Sequence, residues 1–328
     1  MTITIYGAGA IGGLTGAHLA RAGEDVLLVD QVGEHVDAMS RSGLKITGGA
    51  DFTVPVRACR PEQLTGPLGL TFLAVKSQHT QAALEVLAPL VGADTVLVSL
   101  RNGVNPPVIA ERIGADKVIG AFTNFGADWH GPGLVEDGGA GSIYLGELDG
   151  KMTDRLDRIQ GLLSHLRPAN VTDHIYGYLW AKQIDCALLF AQAVTDATMA
   201  DVFGDKPYQP VLIALVGEGV GVARAAGVKL ERFDSFEPLK LRPVSEAEIP
   251  AAHEVLDGFS ARCRTRVKVR SGPWRDLAVR RRPTEIDFMT GWVIGQGKKL
   301  GVPMPLNEHL VQQVKEIERA NGSADFRT

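Results

Sequence analysis

Cysteine is scarce in this chain, with three residues in 328: Cys59, Cys186 and Cys263. They are far apart and odd in number, which argues against a disulfide framework and against a metal-spaced pair. Aromatic residues make up only 6%, and they do not interleave with the basic residues as a nucleic-acid surface would need. Neither sign of charge dominates. Lys and Arg number 34 against 38 Asp and Glu, a net charge of −4, so no global field favours nucleic acid or an anionic membrane. No apolar run is long enough to span a bilayer. The start runs straight into a strand pattern without a basic and then an apolar region, so no signal peptide is expected. The expected location is the cytoplasm. His79, His130, His174 and His253 are scattered, and no metal site is expected from them.

What is present is ordinary for a globular protein: 45% apolar and 22% charged residues. The length suggests two domains. The first thirty residues carry the strongest pattern. Thr2 to Tyr6 reads as a strand, Gly7-Ala8-Gly9-Ala10-Ile11-Gly12 as a turn into a helix, and Asp25 to Asp30 as a second strand ending in an acid. That order is the dinucleotide-binding fingerprint in its required context. Gly7 suits the tight turn, Gly9 the approach of a pyrophosphate, and Gly12 close helix–sheet packing. The helix N-terminus, with Ala10 and Ile11, offers free N–H groups to an anion. Asp30 can accept the ribose hydroxyls.

Further strands are expected at 44–47, 52–56, 68–75, 95–100, 118–125 and 142–146, alternating with helices at 33–41, 80–90 and after Pro106-Pro107. This alternation implies a doubly wound parallel sheet. The turns around Gly131-Pro132-Gly133 and Gly138 to Gly141 suggest antiparallel additions at its edge. A helix over 153–166 closes this part. Beyond Thr172 almost only helices are expected: 175–191, 211–226 with Gly227 as C-cap, the Ser245 region, 284–299 and 306–318. The fold class is therefore α/β. It comprises an N-terminal Rossmann-type sheet domain, 1–170, and an all-helical C-terminal domain, 171–328, packed with a cleft between them.

In open α/β sheets ligands bind beyond the carboxyl ends of the strands. Two loops there carry candidates. Lys76 can reach a phosphate or ribose, or stand in solvent. Asn102 can hold the nicotinamide ribose or a substrate hydroxyl, or simply form an Asn-Gly turn. In the helical part, Leu179-Trp180-Ala181-Lys182 sets a lysine in an apolar helix, where burial moves an amine toward acid–base work; snorkelling to the surface is the plain alternative. Arg282-Pro283-Thr284-Glu285-Ile286-Asp287 reads as a helix start with Glu285 in its first turn. Nine basic residues lie between Arg262 and Arg282; they form a solvated face, or clamp a substrate carboxylate.

Together the glycine turn, Val75-Lys76, Asn102-Gly103, Leu179 to Lys182 and Arg282 to Asp287 resemble the ketopantoate reductase (2-dehydropantoate 2-reductase) family over nearly the whole chain. The resemblance implies hydride transfer from a nicotinamide cofactor to a 2-oxo acid. It makes Lys182 the general acid and Glu285 its positioning partner. Asn102 would hold substrate and nicotinamide ribose, and Lys76 would assist the cofactor. A homodimer is a family-level expectation.

Three departures stand out. NADPH-using members carry an arginine just after the second strand; here Gln31 follows Asp30. A carboxylate repels a 2′-phosphate, so NAD is expected, with NADP the alternative. The family's asparagine one turn after the lysine is Cys186, with Asp185 beside it. The substrate serine aligns near Ser271, with one extra residue in the loop. These changes weaken ketopantoate as substrate and leave a 2-oxo or 2-hydroxy acid of another kind. True NADPH-dependent 2-dehydropantoate 2-reduction is the rival within the family. A non-catalytic dinucleotide-binding protein is the rival from another class.

Overall fold

A computed structural model describes residues 2–101, 103–265 and 268–322. The chain forms two compact units, one ending at Tyr176 and the other beginning at Gly177. Each is described by itself.

The described strands of the first unit are β1 (Ile3–Tyr6), β2 (Val26–Val29), β3 (Leu44–Gly48), β4 (Phe52–Val54), β5 (Arg57–Cys59), β6 (Leu68–Leu73), β7 (Val91–Leu100), β8 (Val118–Thr123), β9 (Ala127–Gly131), β10 (Leu134–Asp137), β11 (Ile143–Glu147) and β12 (Ala169–Val171). The helices are α1 (Ala10–Arg21), α2 (Gly33–Ser42), α3 (Thr80–Leu87), α4 (Pro106–Ile113) and α5 (Asp154–Ser164). The main sheet has the order β12-β11-β8-β7-β6-β1-β2-β5. All neighbours are parallel except β11 against β8.

Alternation along these strands builds two cores. Ile3 and Ile5 of β1, Phe72 of β6 and Val98 of β7 share one with Leu14 of α1 and Leu163 of α5. Tyr6, Leu73 and Leu97 point the other way, toward Leu84 and Leu87 of α3 and Ile109 of α4. Helices thus cover both faces, the doubly wound arrangement expected. Each such aliphatic or aromatic side chain contributes about 1.5–3 kcal/mol by leaving water. Strand order reverses between β1 and β6, which opens a crevice at their carboxyl ends.

The segment after Gly126 departs from expectation. Only β11 and β12 extend the main sheet. β9 and β10 instead join β3 and β4 in a separate sheet of order β4-β3-β10-β9, where β10 runs parallel to β3. Leu44, Ile46, Val54 and Val135 of that sheet pack in the same core as Leu14 of α1.

The second unit takes up most of α6 (Ile175–Ala193) and holds α7 (Met199–Gly204), α8 (Gln209–Ala225), α9 (Ile249–Arg264), α10 (Gly272–Trp274), α11 (Thr290–Leu300) and α12 (Pro305–Gly322). Gly227 caps α8 at φ +70°, as its position predicts. The expected helix over 284–299 is corrected. A single 3-10 turn covers Ile286–Phe288, and α11 begins only at Thr290. Glu285 therefore lies outside any α-helical first turn. The cause is a competing anchor: the Thr284 backbone N–H and hydroxyl both donate to Glu318 Oε1 on α12, each at 2.7 Å.

Candidate active site

The glycine turn runs from the end of β1 into α1. Gly7 has φ +95°, and a Cβ there would come within 2.8 Å of Val75, just beyond β6. At Gly12 a Cβ would overlap the carbonyl oxygen of Gly7. Gly9 differs: a Cβ would meet nothing within 4 Å. Space is thus left on the turn's outer side, where α1 starts with no side-chain cap and no acid in its first turn. The N–H groups of Ala10, Ile11 and Gly12 have no helical acceptor by position. An open cradle with outward donors at a helix N-terminus fits a dinucleotide pyrophosphate. Lys76 follows Val75 and starts the 3-10 turn Ser77–His79.

Asp30 follows β2. Its Oδ1 accepts from Val32 N at 2.9 Å, which fixes the carboxylate at the strand end. Gln31 is exposed. Two further residues belong to this region and were invisible in the sequence. Arg60 follows β5, which pairs with β2 in parallel. Its guanidinium packs against Gly33, where a Cβ would strike it, and lies 3.9 Å from Asp37. His35 is buried, with Nε2 2.9 Å from the Ala8 carbonyl oxygen and Nδ1 accepting from Gly133 N at 2.9 Å. Only long-range pairing brings either residue here, so no local spacing signals it. Asn102 lies outside the described residues.

In the second unit, helical spacing puts Lys182, Asp185 and Cys186 on one face of α6. Lys182 is 4% exposed and Asp185 2%. Lys182 Nζ donates to Asp185 Oδ2 at 2.6 Å, and it lies 5.5 Å from the centroid of Phe233. Lys182 does not snorkel; it is a buried cation held by a buried anion. Glu285 is buried as well. Burial pushes the Cys186 thiol up to about 12, with Lys182 pulling it down and Asp185 and Glu285 pushing it up. The sulfur thus feels all three charged groups. Cys186 should therefore stay a neutral thiol in the folded protein and resist iodoacetamide at pH 8, reacting only after denaturation. Mass spectrometry of the alkylated peptides checks this; rapid labelling of Cys186 in the native protein would contradict its burial.

Ser271 is tied to backbone. Its Oγ donates to Leu189 O at 3.0 Å and accepts from Trp274 N at 3.2 Å, while its own N–H reaches Gln192 Oε1 at 2.9 Å. These anchors lie about two to three turns along α6 from Lys182. Part of the basic stretch is tied down within the unit. Arg262 pairs with Asp234, Arg280 and Arg282 with Asp276, and Arg270 donates to Asp196 O and stacks on Trp274. Arg266 and Val267 lie outside the described residues. Among the described residues, Asp128, His130 and Glu136 bring possible metal-ligand atoms within 4.8 Å of one another. His130 Nε2 there already meets Glu136 Oε2 at 2.5 Å.

A Rossmann unit with an open glycine turn and a helical unit with a buried lysine, carried by one chain, define the class: an NAD(P)-dependent oxidoreductase. Family comparison agrees. The model described as "Ketopantoate reductase PanE/ApbA" matches residues 3–150, and its C-terminal counterpart matches 175–318. The chain belongs to the ketopantoate reductase PanE/ApbA family and is an NAD(P)-dependent 2-oxo acid reductase. A 2-dehydropantoate 2-reductase of Pyrococcus horikoshii is 28% identical, over 99% of this chain and 100% of its own. One from Streptococcus pyogenes is 26% identical, over 97% and 98%. Among solved structures, a PanE/ApbA family ketopantoate reductase from Ralstonia eutropha superposes with a TM-score of 0.81 at 28% identity, covering 98% of this chain and 100% of its own. A D-mandelate dehydrogenase with NADH and anilino(oxo)acetate shares the fold, with a TM-score of 0.85 at 24% identity and coverage of 98% and 100%. No helix among the described residues is long and apolar enough to cross a membrane.

Proposed function

We propose that the chain transfers hydride between NAD(H) and a 2-oxo or 2-hydroxy acid, with Lys182 as the proton donor in reduction and acceptor in oxidation. The observation that carries this is the buried Lys182–Asp185 pair, in which a cation is kept where it can meet developing negative charge. When bound, the nicotinamide supplies or takes the hydride. The chain's own work is then electrostatic and protonic. Lys182 hydrogen-bonds the substrate carbonyl oxygen and gives it a proton as alkoxide character develops. Glu285, also buried, is assigned to steady the ammonium. Gly7, Gly9, Ala10, Ile11 and Gly12 hold the pyrophosphate, and Asp30 the adenosine ribose, with Gln31 and Lys76 bordering it. Asn102 and Cys186 are assigned to the substrate. Ser271 is a weaker candidate, because its hydroxyl proton is spent on Leu189 O. Three cysteines that form no disulfide favour the cytoplasm.

NADP(H) is the second reading, and one observation favours it: Arg60 stands by the N-terminus of α2, next to the acid-bearing loop. Titrating intrinsic or NADH fluorescence separates the two. NADH is expected to bind at least about tenfold more tightly than NADPH, since a like charge at Asp30 opposes the 2′-phosphate. Asp30→Asn should narrow the gap, and Arg60→Ala should leave the ratio unchanged. Preference for NADPH in the parent, lost in Arg60→Ala, would reverse the cofactor assignment. A steady-state panel of 2-oxo acids with each cofactor tests the reaction itself; rapid reduction of ketopantoate with NADPH would return the chain to the family's named substrate.

A further inference from the structure

Glu285 has φ −91° and ψ 17°, a backbone shape that belongs to neither helix nor strand. No regular ladder holds it, so its place is set by its neighbours' partners. On one side is Thr284, buried, whose N–H and hydroxyl both donate to Glu318 Oε1. The same hydroxyl oxygen accepts from Ile286 N at 3.3 Å. The anchor on α12 thus reaches across Glu285 to the residue beyond it. On the other side, Phe288 N and Met289 N donate to Glu285 O at 3.0 and 3.1 Å. Phe288 O accepts from Gln183 Nε2 at 3.1 Å, and Gln183 follows Lys182 on α6. Lys315, three residues before Glu318, closes the frame. Its Nζ donates to Glu318 Oε2 at 3.0 Å and to Asp287 Oδ2. Burial works against this ammonium, but its hydrogen bonds to Asp287 and Glu318 hold its pKa above the ordinary lysine value. The Glu318 side chain is only 9% exposed, and three donors meet it. Hydrogen bonds to an ionised acceptor are the strong ones. α12 is itself fixed at both ends. Leu306 N and Asn307 N donate to Glu218 of α8 at 3.0 Å, and Asn321 Nδ2 donates to Leu277 O at 2.8 Å.

We propose that Glu318 is a positioning residue for the reaction: by gripping Thr284 from α12 it sets where the Glu285 carboxylate stands relative to Lys182. Glu318 meets no reacting atom and acts only through Glu285. The inference rests on the reading that Glu285 works with Lys182. A catalytic group must be held to within about 0.5 Å of its productive place by partners that are themselves fixed. Glu318 supplies that hold from a helix anchored at both ends. Lys315 keeps the Glu318 carboxylate turned toward Thr284 and ties the far end of the segment, through Asp287, to the same helix. What matters for the grip is an acceptor oxygen facing Thr284. The negative charge of Glu318 matters less, because Lys315 retains Asp287.

The test compares Glu318→Ala and Glu318→Gln, each alone and combined with Glu285→Ala. Pyruvate, 2-oxobutanoate, benzoylformate and ketopantoate are tried with NADH and NADPH, and the one the parent reduces fastest is carried through. In Glu318→Ala kcat should fall by about ten- to a hundredfold, as for a catalytic group misplaced by about 1 Å. Glu318→Gln, which keeps an oxygen for Thr284, should recover most of the rate. In the Glu285→Ala background, Glu318→Ala should cost nothing more, because the residue it positions is gone. A merely structural tie would lower the rate by the same factor in both backgrounds. Hydrogen exchange of the 284–289 amides gives a second readout, independent of turnover. Exchange at Thr284 and Ile286 should quicken by about tenfold or more in Glu318→Ala and stay near the parent in Glu318→Gln. Melting curves establish which variants fold. If Glu318→Ala does not, Thr284→Val against Thr284→Ser makes the same comparison from the other end of the bond. The proposal is overturned by an undiminished rate in Glu318→Ala, by an equal loss in both backgrounds, by unaltered exchange, or by parental turnover in Glu285→Ala. The reading it rests on fails separately. Parental turnover in Lys182→Ala, or no turnover of any of the four acids, would sink that reading, and exchange would still decide whether Glu318 sets the backbone around Glu285.

Discussion

Lys182→Ala is expected to slow turnover by about 10²- to 10⁴-fold, the usual contribution of a positioned acid–base group, while NADH still binds. The dinucleotide cradle belongs to the first unit, and the truncated side chain to the second. The variant has a second expected defect. It strands the Asp185 carboxylate in an environment where it is 2% exposed, and breaking a buried pair by removing one partner costs about 3–5 kcal/mol. Lost activity could then reflect lost folding. The control is Lys182→Met with Asp185→Leu, which removes both charges together. Replacing a whole buried pair by apolar groups of similar size is often neutral or stabilising. The double variant should therefore melt near the parent temperature and remain inactive. If it folds and turns over like the parent, Lys182 is not the acid.

The second large effect separates two glycines three residues apart. Gly12→Ala should lose both stability and NADH binding. Its new methyl would overlap the Gly7 carbonyl oxygen and come within 3.0 Å of the Ala74 Cβ. The nearest obstacle is backbone, so α1 must move off the sheet, at a cost of about 1–3 kcal/mol or more. Gly9→Ala should do the opposite. Gly9 sits at φ −64°, open to any residue, and its methyl would meet nothing within 4 Å. The melting temperature should hold, since such a surface change shifts stability by no more than about 0.5 kcal/mol. NADH affinity should nevertheless fall by about tenfold or more, because the methyl fills the space left for the pyrophosphate. Equal NADH binding by parent and Gly9→Ala would remove the glycine turn from the cofactor site.

Local spacing told most about what local forces decide. The strand–turn–helix of residues 2–30 and the buried strands β6 and β7 follow from short-range apolar patterning. The lysine on α6 is legible for the same reason. So, in principle, is Asp185: an acid three residues after a lysine in a helix shares its face. What stayed hidden depends on long-range pairing. The sheet formed by β3, β4, β9 and β10 joins segments some ninety residues apart. β5 and β12 are three residues each, too short for any periodicity. Arg60 reaches Asp30's neighbourhood only because β5 lies beside β2. Glu285 was misplaced because Glu318, on α12, captures the N–H and hydroxyl of Thr284. Two hydrogen bonds from a distant helix outweigh a local pattern that looks like a helix start.

The hydrogen bonds behind the glycine turn have one further consequence. Gly7 N and Ala8 N both donate to Val29 O, at 2.8 and 3.0 Å, and the Ala8 carbonyl meets the His35 ring, itself bound to Gly133 in the loop between β9 and β10. The turn is thus braced by β2 on one side and by the small sheet on the other before any ligand arrives. A loop already in its binding shape surrenders little freedom on association, so contact energy goes into affinity rather than into ordering the chain. The small sheet, which carries none of the assigned site residues, serves as the brace for that preorganisation.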